Sequence, residues 1–176
     1  MATTKWQFDP AHSEVLFRVR HLMISNVTGS FDKFTAAVEM TDDQLETAQI
    51  TFTADVDSIT TKNEQRDGHL RSPEFFDVSK YPTISFVSTK LESISDKEYT
   101  LFGNITIHGV TKNIQLHVEH GGVIIAHGHT RTGFNVDGKI NRRDFGLTWH
   151  SITETGSVVL GDDVNISACI QFIKQD

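Results

Sequence analysis

Runs of alternating apolar and polar residues cover nearly the whole chain, and within each run Val, Ile, Leu and Phe keep a single register. Val15, Phe17 and Val19 alternate with Glu14, Arg18 and Arg20, and Ile50, Phe52, Ala54 and Val56 alternate with Thr51, Thr53 and Asp55. Leu101, Gly103, Ile105 and Ile107 follow the same rule, as do Val164, Ile166, Ala168, Ile170 and Phe172. Successive side chains of a strand point to opposite faces, so each run has one apolar and one wetted face. With little helix to cover them, such strands must pack on a second sheet or close on themselves. A closed sheet of about eight strands is just wide enough to fill itself with side chains or to hold one small ligand. The alternation is compatible with both outcomes.

Strand-like runs are expected over residues 5–8, 13–21, 31–40, 49–57, 83–92, 98–107, 113–120, 122–137, 146–150 and 163–174. Gly29, the Gly121-Gly122 pair, Gly138 and Gly161 read as turn or bulge residues between them, and the close spacing favours antiparallel neighbours. The fold class is therefore all-β. One segment, about residues 61–77, breaks the alternation and reads as a short helical insertion. Thr61 and Glu64 have the spacing of a capping box, and Arg66 and Leu70 share a helix face. Ser72-Pro73 reads as a second helix start, followed by Phe75 and Phe76. On a barrel such a plug closes one end or flanks the mouth.

The 176 residues are enough to bury a core without staples, and a single domain over 6–174 is expected. A net charge of -7 argues against a nucleic-acid groove or an anionic membrane surface, both of which reward clustered Lys and Arg. The single cysteine, Cys169, excludes an internal disulfide and a zinc site built on cysteines, and its register puts it on the face opposite Ala168 and Ile170. The amino terminus shows no apolar leader segment and no run approaches a membrane span, so a soluble, cytoplasmic protein without stable membrane insertion is expected.

Nine histidines invite a metal reading. His127 and His129 would share a strand face while His117 and His120 would diverge, and no third ligand is evident. There is no Gly-x-Ser-x-Gly elbow, phosphate loop or nucleotide fingerprint, so a binding protein without catalytic residues, metal or cofactor is expected. Two polar clusters stand out: His12, His21, Arg66, Asp67 and His69, and the turn Asn141-Arg142-Arg143-Asp144. Either could close the polar end of an apolar cavity, where arginine suits a phosphate or carboxylate head. Equally, Arg142 and Asp144 could pin a hairpin, and Asp9 and His12 could tie the amino-terminal segment to the barrel.

The opening Trp6-Gln-Phe-Asp9-Pro-Ala-His12-Ser13 through His21 resembles the start of the YceI-like family of lipocalin-like, polyisoprenoid-binding proteins. So do Arg66-Asp67-Gly-His69-Leu70-Arg-Ser72-Pro-Glu-Phe75-Phe76-Asp77 with Tyr81-Pro82, Gly103-Asn-Ile-Thr-Ile-His-Gly109-Val-Thr111, Asn141-Arg142-Arg-Asp144-Phe145-Gly146, and Leu160-Gly161-Asp162. The resemblance implies an extended antiparallel lipocalin-like barrel of about eight strands holding one long apolar chain, often in a homodimer, with no known catalytic set. It implies a polyprenyl pyrophosphate or quinone precursor as ligand, or in some members a fatty amide or similar tail.

The expected function is thus to sequester or ferry a long-chain isoprenoid in the barrel interior. Expected tunnel walls are Val15, Phe17, Val19, Phe52, Phe86, Ile105, Phe134 and Phe172, and expected mouth residues are His12, His21, Arg66, His69, Asn141 and Arg142. Other readings are a fatty-acid or fatty-amide binding stress-response or interaction protein, and a histidine-based metal-dependent enzyme.

Overall fold

The structure, a computed structural model, describes residues 2–151 and 159–176. Eleven strand segments among them form one antiparallel sheet: β1 (Thr3–Phe8), β2 (Glu14–His21), β3 (Ser25–Phe31), β4 (Phe34–Thr41), β5 (Gln44–Asp55), β6 (Ile59–Thr60), β7 (Thr83–Ser93), β8 (Glu98–Ile107), β9 (Val110–Ala126), β10 (His129–Asn141) and β11 (Leu160–Lys174). Three pairs of segments are single long strands broken by a bend. β1 and β2 are parted by a 3-10 turn at Pro10–His12, β3 and β4 by Asp32 and Lys33, and β5 and β6 by a 3-10 turn at Val56–Ser58. Counted this way there are eight strands. The last, β11, pairs Phe172 with Phe8 on β1 and Ala168 with Val15 on β2, which closes the barrel.

The inner face carries the alternating residues read from the sequence, with Val38, Ala54, Leu101, Ile107 and Phe172 all buried. A corner is left where β6 stops without pairing to β7, and the helix α1 (Glu64–Arg71) covers it. Arg71 holds the helix there by donating Nε to Asp57 O and Nη2 to Ile59 O. Asn63 caps α1 by accepting from the Arg66 amide at 3.0 Å. Thr61 is not the cap that its spacing to Glu64 suggests. Its amide and hydroxyl both donate to Oδ1 of the buried Asp67, at 2.8 and 2.5 Å.

Other local expectations also change. The run 25–31 is a full strand, with Gly29 inside it facing Phe17 rather than turning the chain. Gly138 also lies within a strand, whereas Gly161 sits in the irregular stretch of β11 between Leu160 and Val164, in keeping with its reading as a turn or bulge residue. Residues 146–150 form no strand: a 3-10 turn at Arg142–Phe145 ends on Gly146 in the left-handed conformation (φ 74°), and Arg142 takes the carbonyls that a neighbouring strand would have used. The Gly121-Gly122 pair is a bulge, one of the two roles read for it, opposite Thr132–Phe134; the strand β9 runs through it to Ala126, and the hairpin turns at His127-Gly128, inside the run expected over 122–137. His127 therefore does not share a strand face with His129.

The bulge brings His120 beside the buried Thr132. The Thr132 hydroxyl donates to Gly122 O at 2.8 Å, so His120 Nε2–H donates to Thr132 Oγ1 at 2.7 Å. The imidazole stacks on Phe134 at 4.9 Å between ring centres. Burial pushes the His120 pKa below its ordinary value. The unfolded chain then binds a proton more readily than the folded one, so this contribution to stability is complete above about pH 6.5 and is lost as the pH falls towards the folded value. Denaturant unfolding at neutral and mildly acidic pH is expected to show a smaller acid loss in His120→Gln than in wild type. Equal acid losses would remove His120 from the response.

Candidate functional site

The barrel encloses an apolar lumen of two chambers that share part of their wall. The lower, about 130 Å³, is lined entirely by apolar side chains, including Ala48, Leu101, Val118, Phe86, Phe134 and Phe172. The upper, about 270 Å³, lies towards the end covered by α1 and includes Phe17, Val19, Phe31, Leu70, Phe75 and Trp149 in its wall. Val15, Phe52, Ile105 and Ile166 face both chambers. The eight side chains expected along a tunnel are thus all on the lumen wall: Phe86, Phe134 and Phe172 below, Phe17 and Val19 above, and Val15, Phe52 and Ile105 between. Two glycines make room for the largest of them. A Cβ on Gly29 would stand 2.2 Å from Phe17 Cζ, and one on Gly103 would stand 2.3 Å from Phe86 Cζ. Each strand glycine is a seat for an aromatic ring from a neighbouring strand.

Of the six expected mouth residues, His21, Arg66, His69 and Arg142 line the upper chamber. Arg66 is aimed by its own loop: Nε donates to Thr61 Oγ1 at 2.7 Å and Nη2 to Thr61 O at 2.9 Å. That leaves one edge of the guanidinium, Nη1, uncommitted among the described residues. His69 bonds through Nε2 to Glu74 at 2.6 Å and packs edge-on against Phe75 and Trp149, with ring centres 5.1 and 4.9 Å away. Arg142 is 3% exposed, and its donors are spent on the carbonyls of Gly161, Leu147 and Trp149. It braces the rim and has little left for a ligand.

His12 and Asn141 do not reach the lumen. His12 lies on the outer wall, where Nδ1 meets Asp9 at 2.9 Å, and Asp9 in turn holds Arg131 at 3.0 Å and keeps the amino-terminal strand on the barrel. The His12 hydrogen bond is the first cause holding the Asp9 carboxyl below its usual pKa. Asn141 is a cap, accepting from the Arg143 amide at 2.9 Å. Conversely, Trp149, Phe75 and Leu147 belong to the upper chamber; Leu147 and Trp149 alternate as a strand would, but all three lie in the irregular segments around the mouth.

Among the described residues no group of three His, Cys, Asp or Glu side chains could hold a metal ion. Cys169 is exposed on the outer face, donating to Asn135 Oδ1 at 3.0 Å. Partial burial, with Glu14 and Asp137 nearby, pushes its thiol pKa up, away from nucleophilic character. No described helix is long and apolar enough to cross a membrane.

Fold and lumen together define a lipocalin-like barrel: eight antiparallel strands closed around an apolar interior, with a polar collar at one end. The model of the YceI-like domain matches residues 6–172, and the chain belongs to that family. A curated relative, UPF0312 protein SAS2572 of Staphylococcus aureus (strain MSSA476), is 40% identical over 171 residues, 96% of this chain and 97% of the relative. Among solved structures, the Campylobacter jejuni YCEI protein is 34% identical with a TM-score of 0.76, covering 89% of this chain and 90% of that one. A polyisoprenoid binding domain from Saccharophagus degradans, implicated in plant cell wall breakdown, shares the fold at 17% identity and a TM-score of 0.69, covering 97% and 98%.

Proposed function

We propose that the protein binds one long-chain apolar amphiphile, a polyisoprenoid such as a polyprenyl pyrophosphate or a quinone precursor, with its tail in the lumen and its head at the collar. The observation that carries this reading is the combination of a lower chamber with no polar lining and an upper chamber bordered by Arg66, His21 and His69. Burying hydrocarbon contributes roughly 0.8 kcal/mol per methylene, so one five-carbon unit offers on the order of 4 kcal/mol before ordering costs. A few units give useful affinity after those costs. An apolar tunnel separates tails of similar width poorly, so the collar has to supply head-group choice. Arginine and histidine donors favour an anionic or acceptor-rich head over a cationic one.

The family and the polyisoprenoid binding domain that shares the fold support a binding protein rather than a catalyst. The reading includes a cytoplasmic homodimer that needs no cofactor. Native mass spectrometry of freshly purified protein, followed by solvent extraction, is expected to release a discrete polyprenyl species. An extracted acyl or fatty-amide species would shift the ligand class. A bare polypeptide that stays bare after incubation with both lipid types would overturn the reading.

A further inference from the structure

The four side chains shared by the two chambers come from facing walls. Phe52 on β5 and Ile105 on β8 flank Phe86 in register, while Val15 on β2 and Ile166 on β11 stand on neighbouring strands across the lumen. They form a waist. Below it, Ala48 lies four residues along β5 from Phe52, and Leu101 four residues along β8 from Ile105, so the lower chamber extends about 13 Å along the strands. With the tilt usual for such barrels this is about 10 Å of depth.

We infer that the waist is a chain-length selector: a tail fills the upper chamber first and gains the lower chamber only by passing Phe52, Val15, Ile105 and Ile166. This rests on the reading that a lipid tail occupies the lumen. An apolar cavity of about 150 Å³ accepts one benzene ring, so the lower chamber, about 130 Å³, holds about one five-carbon unit. The upper chamber, about 270 Å³, holds about two by the same comparison. The two volumes grade tails by the unit that crosses the waist, and Phe52, the largest of the four side chains, sets the width of the passage. Ala48 sets the depth, because its small side chain leaves the space below the waist empty.

The test is a series of ten-, fifteen- and twenty-carbon prenyl diphosphates titrated into delipidated full-length protein, with affinities read by displacement of a fluorescent lipid. In Ala48→Phe, which fills the lower chamber, the ratio of twenty- to ten-carbon affinity is expected to fall about tenfold or more, equivalent to burying about two fewer methylenes. Phe52→Ala is expected to move the same ratio in the opposite direction by widening the passage. Should either variant lose its near-ultraviolet circular dichroism, Ala48→Leu and Phe52→Leu report the same opposed shifts with smaller amplitude. Variants that bind the series with the wild-type ratio would overturn the selector while leaving lipid binding in place. A wild-type protein that binds no member of the series, and releases no lipid on extraction, would overturn both.

Discussion

The Arg142→Ala variant is expected to lose about 3–5 kcal/mol of unfolding free energy, the sum expected when several buried carbonyls lose their donor together. The guanidinium is 3% exposed and holds two separate chain segments, 147–149 and 160–161. Nε donates to Gly161 O at 2.9 Å, and Nη1 donates to Leu147 O at 2.6 Å and Trp149 O at 2.7 Å. Asp162 lies 3.6 Å from Nη2 and offsets part of the desolvation. Burial lowers the Arg142 pKa and Asp162 opposes that shift; an arginine remains charged at neutral pH. Alanine would strand these carbonyls, each unmade bond costing about 1–3 kcal/mol where water cannot enter. Lysine would recover only a minor part, because a single ammonium cannot reproduce the planar fork. Guanidinium chloride unfolding of the three proteins checks this. A loss under about 1 kcal/mol in Arg142→Ala would mean that the carbonyls find other donors.

Phe17→Arg is expected to weaken lipid retention by on the order of a hundredfold, the equivalent of losing about four buried methylenes. The Phe17 ring occupies the upper chamber over Gly29, with the Phe31 ring 5.6 Å away. An arginine there would need to run its stem along the wall and place its charge at the mouth, taking the space of the tail. A guanidinium left among Val19, Ile166 and Phe31 would be an unpaired charge in an apolar enclosure. Because Phe17 is only half-buried, the barrel should still close, which near-ultraviolet circular dichroism would verify. Native mass spectra of the variant beside Phe17→Leu read the lipid directly. Undiminished lipid in Phe17→Arg would mean that the ligand does not lie against this wall.

The parts of the fold that were legible in the sequence are those where burial alone decides. Val15, Phe52, Ile105 and Phe172 announce an inner face because a strand's period of two leaves no other place for them. What escaped is governed by contacts distant in sequence. Gly29 reads as a turn until Phe17 is known to lie across from it, and the segment 25–31 then offers Val27 as its one apolar signal before Phe31. Phe145, Leu147 and Trp149 alternate as a strand would, but the arginine at 142 claims the carbonyls of Leu147 and Trp149 and rolls the segment into the rim. Thr61 has the spacing of a cap, whereas Asn63 does the capping and Thr61 serves Asp67. The mouth was read less well than the walls for the same reason. His12 and Arg66 are both polar residues within the matching motifs, and only the three-dimensional arrangement puts one on the outer wall and the other at the lumen.

The closing strand has a consequence for how the chain is made. β11 is the last strand in the chain, and it must find β10, β1 and β2, two of which are near the other end. Until residues 160–174 have emerged from the ribosome, the nascent sheet has two unpaired edges and its greasy face is open to water or to any passing chain. The seam between Trp6 and Lys174 closes a loop of almost the whole protein, a costly step that belongs late in folding. A chain stalled before that point has no interior at all, only a sheet prone to join its neighbours.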